Sequence, residues 1–468
     1  MTISLLHLIP MVSAYASYGI YVGKNLTADG CVYLGGYGDE PSSHWLEIVP
    51  RREHEPGTTI LVGATEKARY PGELIAIPQA EVTFRYITMN YSAFAGFPAP
   101  LTNGGLNEYG VAGRDIWSPS RDELRKMTPN PQRGPNYSDL SRIAMERAKT
   151  AREAVEIIGA LMDEYGYSTY DGNSHLFADA NEGWVVINFA GGQGLWIAQR
   201  LGPDDVRVSR PGYIEAIPLD FKNSPNYMGS DNFISFAVEQ GWYDLDSGEP
   251  FHVGKVYGVP EKSEAVELIE SRLKERAGKI TLTDMMEMVR TTDVTRETAG
   301  YGQVAVLRED EQPEMGTLWV AAAQSVTAPF VPYRLGVQDV PPEFKRHRYL
   351  TEDEPAQFQS ADQRGLESTV YAFRVFKRLF YLMDEHREKF LPEITEALTA
   401  FEAGLIKEQE TVERTARKLY EAGEDDLARK YLTYYSHTEA MNALRLGEAL
   451  AESIEARTKV LYGVRQPE

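Results

Sequence analysis

The run Ala14-Tyr15-Ala16-Ser17 sets a small-x-small triplet directly ahead of a hydroxyl residue. Scission after Ala16 makes Ser17 the first residue, with its amine and its hydroxyl on one carbon skeleton. A free α-amine has a reference pKa of about 7.7–8.0, close to where a general base works best. A side-chain nucleophile beside such an amine needs no separate histidine. The chemistry expected of this arrangement is amide hydrolysis, with Ser17 both nucleophile and carrier of the base. Two routes lead to the cut. Ile3 to Val12 is mostly apolar and Ala14–Ala16 fits the cleavage rule for export signals, although no Lys or Arg precedes it. The rival is a short propeptide that the chain removes from itself. A third reading is a buried first strand that is never cut. Export places the protein in the periplasm or outside the cell; otherwise it is cytoplasmic.

Other reactive centres are absent from the pattern. The eight histidines are scattered, and none has a second His at ligand spacing. Cys31 is the only cysteine, so no intrachain disulfide forms. Gly-x-Ser-x-Gly and the phosphate-loop pattern do not occur. Gly191-Gly192-Gln193-Gly194 joins two strands and opens no helix, so it is not read as a nucleotide loop. No metal and no organic cofactor is expected. The net charge of −21 argues against nucleic acid and against anionic membranes. No run approaches the roughly 18 apolar residues of a membrane span. The expected partner is a small peptide or amide substrate, with a homo-oligomer left open.

The elements that must position Ser17 follow from periodicity. Tyr18–Val22 and Cys31–Leu34 read as strands around a turn at Asn25–Gly30, where Asp29-Gly30 is a hairpin signal. Thr59–Leu61 and Thr83–Met89 are further strands. A helix opens at Ser138 and leads into Ala151–Tyr165, with Gly166 as its stop. Leu176–Asp179, Trp184–Phe189 and Leu195–Gln199 read as consecutive antiparallel strands. Helices follow over Ser263–Arg276 and Thr283–Val289, then strands at Val304–Leu307 and Gly316–Ala323. After Val340-Pro341-Pro342, the polar stretch Thr351–Gln363 reads as a linker. From Gly365 to Leu461 the pattern is helical, with Val370, Phe373, Phe376, Leu379, Phe380 and Met383 on one buried face. This order predicts an α+β architecture of stacked antiparallel sheets. Its expected parts are a leader (1–16), a main domain (17–345) and a C-terminal helical segment packed on it (365–461). Ser17 lies in a sheltered cleft only if the first strand is central.

Several strings recur in order: Val22–Gly30, Gly35-Gly36-Tyr37-Gly38-Asp39, Asn103–Ala112, Glu146–Ala154, Trp196–Arg200, Glu239–Asp244 and Leu432–His437. Together they resemble the dipeptidase/secernin family of N-terminal-nucleophile hydrolases, from about Ala16 to about Leu450. The resemblance implies a four-layer αββα fold and cleavage of small peptides or other amides after loss of a short N-terminal segment. It implies catalytic roles for Ser17, Asp39 and Asn107, with Asp39 beside the new amine and Asn107 donating to the oxyanion. Arg114 is the candidate clamp for a substrate carboxylate, and His44 a candidate pocket wall. Each has a plainer alternative: a surface turn for Asp39, a turn cap for Asn107, an ion-paired Arg114, a core His44. The sequence departs from the family in three places. Ser17 stands where Cys is usual, Gly36 where Arg is usual, and Pro211-Gly212 where an Asn near Ser209–Tyr213 is usual. Three functions remain open: a dipeptidase, a hydrolase of non-peptide amides such as N-acyl amino acids, and a catalytically silent relative.

Overall fold

The computed structural model describes residues 17–39, 43–92, 96–258, 262–309, 312–346 and 370–463. The expected cleavage site at Ala14–Ala16 and the linker Thr351–Gln363 lie outside the described residues. Strand β1 (Tyr18–Val22) is buried along its whole length and pairs antiparallel on both edges. One neighbour is Val206–Ser209 and the other is β2 (Val32–Gly38). A strand covered on both faces needs no polar-apolar alternation, and Tyr-Gly-Ile-Tyr-Val shows none.

The six-stranded sheet runs in the order Val206–Ser209, β1, β2, Tyr301–Leu307, Thr317–Ala321, Val331–Arg334. A nine-stranded sheet includes His44–Val49, Tyr86–Tyr91, Gly104–Asn107, Ala112–Ser118, Gly172–Ala178, Gly183–Asn188 and Trp196–Leu201. The two sheets meet through their central strands, and β1 and β2 touch Ala112–Ser118 and Gly172–Ala178. Gly19 is small because it must be. A Cβ there would stand 3.1 Å from Ile116 and 3.2 Å from Leu176 of the facing sheet.

Helices pack on both sheets. Tyr137–Arg147 and Ala151–Tyr165 lie on the nine-stranded sheet, while Glu264–Glu275 and Leu282–Arg290 lie on the six-stranded one. Local chemistry sets their ends. Asn136 and Asp139 form a reciprocal capping box. Thr150 caps the next helix, and Gly166 ends it at φ +84°. The mixed α+β class is therefore observed.

Three further helices, Ala372–Asp384, Arg387–Glu421 and Asp425–Tyr462, form the C-terminal part. Of the predicted apolar stripe, Phe376, Leu379, Phe380 and Met383 are buried on the first of these helices, while Val370 and Phe373 are half-buried against the core. Phe376, Leu405 and Leu444 join the same core cluster as Tyr18 and Val331. A buried ion pair fastens this unit to the sheets. Arg290 donates through both terminal nitrogens to the Glu402 carboxylate, which also accepts from the Phe330 N–H at 2.8 Å.

Candidate active site at the start of the first strand

Ser17 sits at the entrance to β1 and is buried. Its position follows from the register: Tyr18 pairs with Tyr37 and Gly19 with Gly36, which brings the end of β2 alongside. The next residues of that strand curl over Ser17, and the Asp39 backbone N–H donates to Ser17 Oγ at 3.2 Å. The Asp39 carboxylate is buried and accepts from the Thr298 hydroxyl. The surface-turn alternative for Asp39 therefore fails.

Arg114 reaches this corner from the facing sheet. Its Nη2 donates to the Tyr37 carbonyl at 2.5 Å, its Nη1 donates to the Tyr301 hydroxyl, and the guanidinium lies over the Tyr301 ring. Both terminal nitrogens thus serve the protein. These bonds tie the two sheets together at a fully buried Arg114. It crosses close to Gly36. That glycine has φ +151°, and a Cβ on it would overlap the Tyr18 carbonyl. No side chain fits where the resembling family carries Arg, and Arg114 brings a guanidinium to this corner from the other sheet.

His44 is also in the corner but walled in. Its ring packs against Tyr91, Tyr301 and Phe373 with centroids 5.3, 5.6 and 5.5 Å away. A Cβ on Gly300 would overlap the imidazole, and the ring is fully buried. The expected pocket wall is instead part of an aromatic core, because rings close it in on several sides.

Asn107 is a correction of a different kind. It lies three residues along its strand from Gly104, the partner of Arg114, or about 10 Å. Its amide protons go to the Met145 and Ala148 carbonyls at 3.1 and 2.7 Å. Its Oδ1 accepts from the Tyr109 and Val111 N–H groups at 3.0 Å each. No proton is left for an oxyanion. Asn107 stitches its own turn to the end of helix Tyr137–Arg147.

The structure also adds residues that the motif reading passed over. Thr298 and Tyr301 come from the approach to strand Tyr301–Leu307, and Lys377 from the first C-terminal helix. Lys377 donates to the Glu297 carbonyl, one residue before Thr298. Thr295-Arg296-Glu297-Thr298-Ala299-Gly300 carries no spacing pattern, and Lys377 lies beside an apolar stripe that reads as scaffold.

The opposite end of the sheets looks different. A cavity of about 560 Å³ opens there, lined by Glu108, Lys149, Asp179, Asn181, Arg308 and Glu309 among others. Among the described residues no group of three or more His, Cys, Asp or Glu gathers as metal ligands, and no helix is long and apolar enough to cross a membrane.

Comparison with known proteins gives a consistent group. Residues 105–272 match the model of peptidase family C69, a span that holds Asn107 and Arg114. A probable dipeptidase B of Streptococcus pyogenes is 27% identical over 294 residues, 60% of this chain and 54% of that protein. A dipeptidase of Bifidobacterium longum is 31% identical over 275 residues, 53% of this chain and 47% of that protein. The chain spans about half the length of these curated relatives. Among solved structures, a mutant conjugated bile acid hydrolase from Clostridium perfringens aligns with 68% of this chain and 92% of its own, at 12% identity and a TM-score of 0.30.

Proposed function

We propose that this chain is a dipeptidase-like hydrolase of the C69 kind, with its layers stacked αββα as in N-terminal-nucleophile hydrolases and Ser17 as nucleophile. The observation that carries the reading is the corner at β1. Ser17 Oγ accepts from Asp39 N–H, and the Asp39 carboxylate is buried beside it on a strand paired on both edges. Dipeptidases that share about a quarter to a third of the aligned residues support the substrate class.

The chemistry starts after removal of residues 1–16. Ser17 Oγ attacks the scissile carbonyl carbon while the Ser17 amine takes the hydroxyl proton. The amine hands that proton to the leaving nitrogen as the C–N bond breaks, leaving an ester on Ser17. Water then attacks the ester, loses a proton to the amine and releases the acid, and the proton returns to Oγ. Asp39 stabilises the ammonium form of the amine. Since Asn107 is committed elsewhere, the oxyanion is held by backbone N–H groups of the corner.

The test is intact mass and N-terminal sequencing of the purified protein, with a dipeptide assay of Ser17→Ala. A chain beginning at Ser17 and a variant slower by at least about a thousandfold are expected. A chain that retains residues 1–16, or a fully active Ser17→Ala, overturns the reading. A second reading keeps the chemistry and changes the substrate to a non-peptide amide such as an N-acyl amino acid. Gly36 favours it, since the corner has no room for a side chain there. Higher kcat/KM on acyl amides than on dipeptides would decide for it.

A further inference from the structure

The first C-terminal helix does more than cover the sheet. At its start, the Tyr371 hydroxyl donates to the His44 carbonyl and the Phe373 ring packs on the His44 imidazole. Further along, Lys377 donates to the Glu297 carbonyl, and its Nζ lies 3.8 Å from Glu297 Oε1. The Tyr381 hydroxyl donates to that same carboxylate oxygen. The residue after Glu297 is Thr298, whose hydroxyl holds the Asp39 carboxylate, and the Asp39 N–H holds Ser17 Oγ. The path from helix to nucleophile therefore alternates polar contacts with chain connectivity: Lys377 to the Glu297 carbonyl, Glu297 to Thr298 along the backbone, the Thr298 hydroxyl to the Asp39 carboxylate, and the Asp39 N–H to Ser17 Oγ.

We propose that Lys377 is a positioning residue of the Ser17 centre: its ammonium pins the Glu297–Thr298 segment so that the Thr298 hydroxyl orients Asp39 against Ser17. This rests on Ser17 being the nucleophile. The choice of side chain supports the role. The Lys377 side chain is only 13% exposed and follows directly on Phe376 of the buried face. Burying an ammonium is costly unless it is paired, and a leucine or methionine would anchor a helix without that cost. Burial pushes the Lys377 ammonium below its ordinary pKa, and the carboxylates of Glu297 and Asp39 oppose that shift. The charge of Lys377 therefore bears on Asp39 as well as on its direct partner.

The full-length chain carrying Lys377→Met or Lys377→Arg tests this, with kcat and KM on a dipeptide and the melting temperature measured for each. Lys377→Met keeps the length of the side chain and removes the charge. Its kcat is expected to fall about tenfold or more with KM within about twofold, at a melting temperature close to that of the parent. Lys377→Arg is expected to restore most of the loss, because a guanidinium can still donate to the Glu297 carbonyl. An unchanged kcat in Lys377→Met, a rise in KM alone, equal losses in both variants, or a kcat loss that follows the loss of folded protein would each overturn the role. Ser17→Ala assayed alongside separates the two levels. If it is inactive while Lys377→Met is unaffected, the positioning role alone falls. If it is fully active, the Ser17 reading falls and takes this inference with it.

Discussion

The two ends of the stacked sheets use polar residues in opposite ways. At the Ser17 end, Ser17, Asp39, Arg114 and His44 are all buried. At the other end, the 560 Å³ cavity is lined by exposed charged residues such as Lys149, Arg308 and Glu309, the last paired with Lys24 outside it at side-chain exposures of 55% and 30%. Burying a polar group costs stability unless it is bonded, so a cluster of buried polar groups persists where its geometry is used. Exposed ion pairs carry little cost and little information. The open cavity is thus the weaker functional candidate, and the enclosed corner the stronger one.

The sharpest way to break this contrast is to mutate both ends. Ser17→Ala should remove at least about a thousandfold of turnover, while Lys149→Ala at the open cavity should stay within about twofold. Loss of activity in Lys149→Ala alone would relocate the site. The same contrast holds for stability. Glu402→Ala strands the buried Arg290 and should cost about 3–5 kcal/mol in chemical denaturation, whereas Glu309→Ala should cost at most about 1 kcal/mol. Equal effects would erase the distinction between buried and exposed pairs.

Gly36→Ala sharpens the corner itself. It meets both a positive φ and the Tyr18 carbonyl, and a loss of about 2–4 kcal/mol is expected, read from the denaturation midpoint. Gly30→Ala has a positive φ but open space around it, so it should cost only about 1 kcal/mol.

The shallowest net effect is a pH dependence, in which two larger contributions oppose each other. His175 is buried, with its Nε2 3.2 Å from the Tyr137 carbonyl oxygen. Burial depresses its pKa from the ordinary value of 6.5 to about 4. The unfolded chain then binds a proton that the folded one refuses between those values. Stability is lost as pH falls from about 6.5 toward 4, by up to about 3 kcal/mol from this group, and is flat below that. Asp171 opposes it. Burial raises its carboxyl from 3.8 to about 6, so its contribution is present at low pH and lost as pH rises through 6. Denaturation midpoints between pH 4 and 7 should therefore show a shallow slope, and His175→Gln should reverse it by removing the opposing group. An unaltered slope in that variant would assign the dependence elsewhere.

Much of the fold is legible because it rests on local signals. Tyr18–Val22 is read with its observed bounds, as are the helix Ala151–Tyr165 and its Gly166 stop. The strands Gly104–Asn107 and Ala112–Ser118 are less visible. Gly104, Gly105, Gly113, Arg114 and Asp115 break any apolar alternation, and their burial comes from partners far along the chain. The closeness of Ser17 and Asp39 is legible from the strings around β1 and β2, since a single hairpin brings them together. Asn107 and Arg114 sit in equally suggestive strings but are claimed by the Met145, Ala148 and Tyr37 carbonyls, contacts that no local pattern displays. Lys377 is hidden for the same reason, because its partner Glu297 belongs to another layer.

A terminal strand would ordinarily be the first to fray, and the proposed cut after Ala16 would make Tyr18–Val22 one. Here Tyr18–Val22 is zipped on two edges, with Val206–Ser209 on one side and Tyr33–Tyr37 on the other. Opening it requires breaking both seams at once, so its amides belong to the last group to exchange with deuterium, released only by global unfolding. The strand beside the proposed nucleophile is thus held on both edges like an interior strand of its sheet.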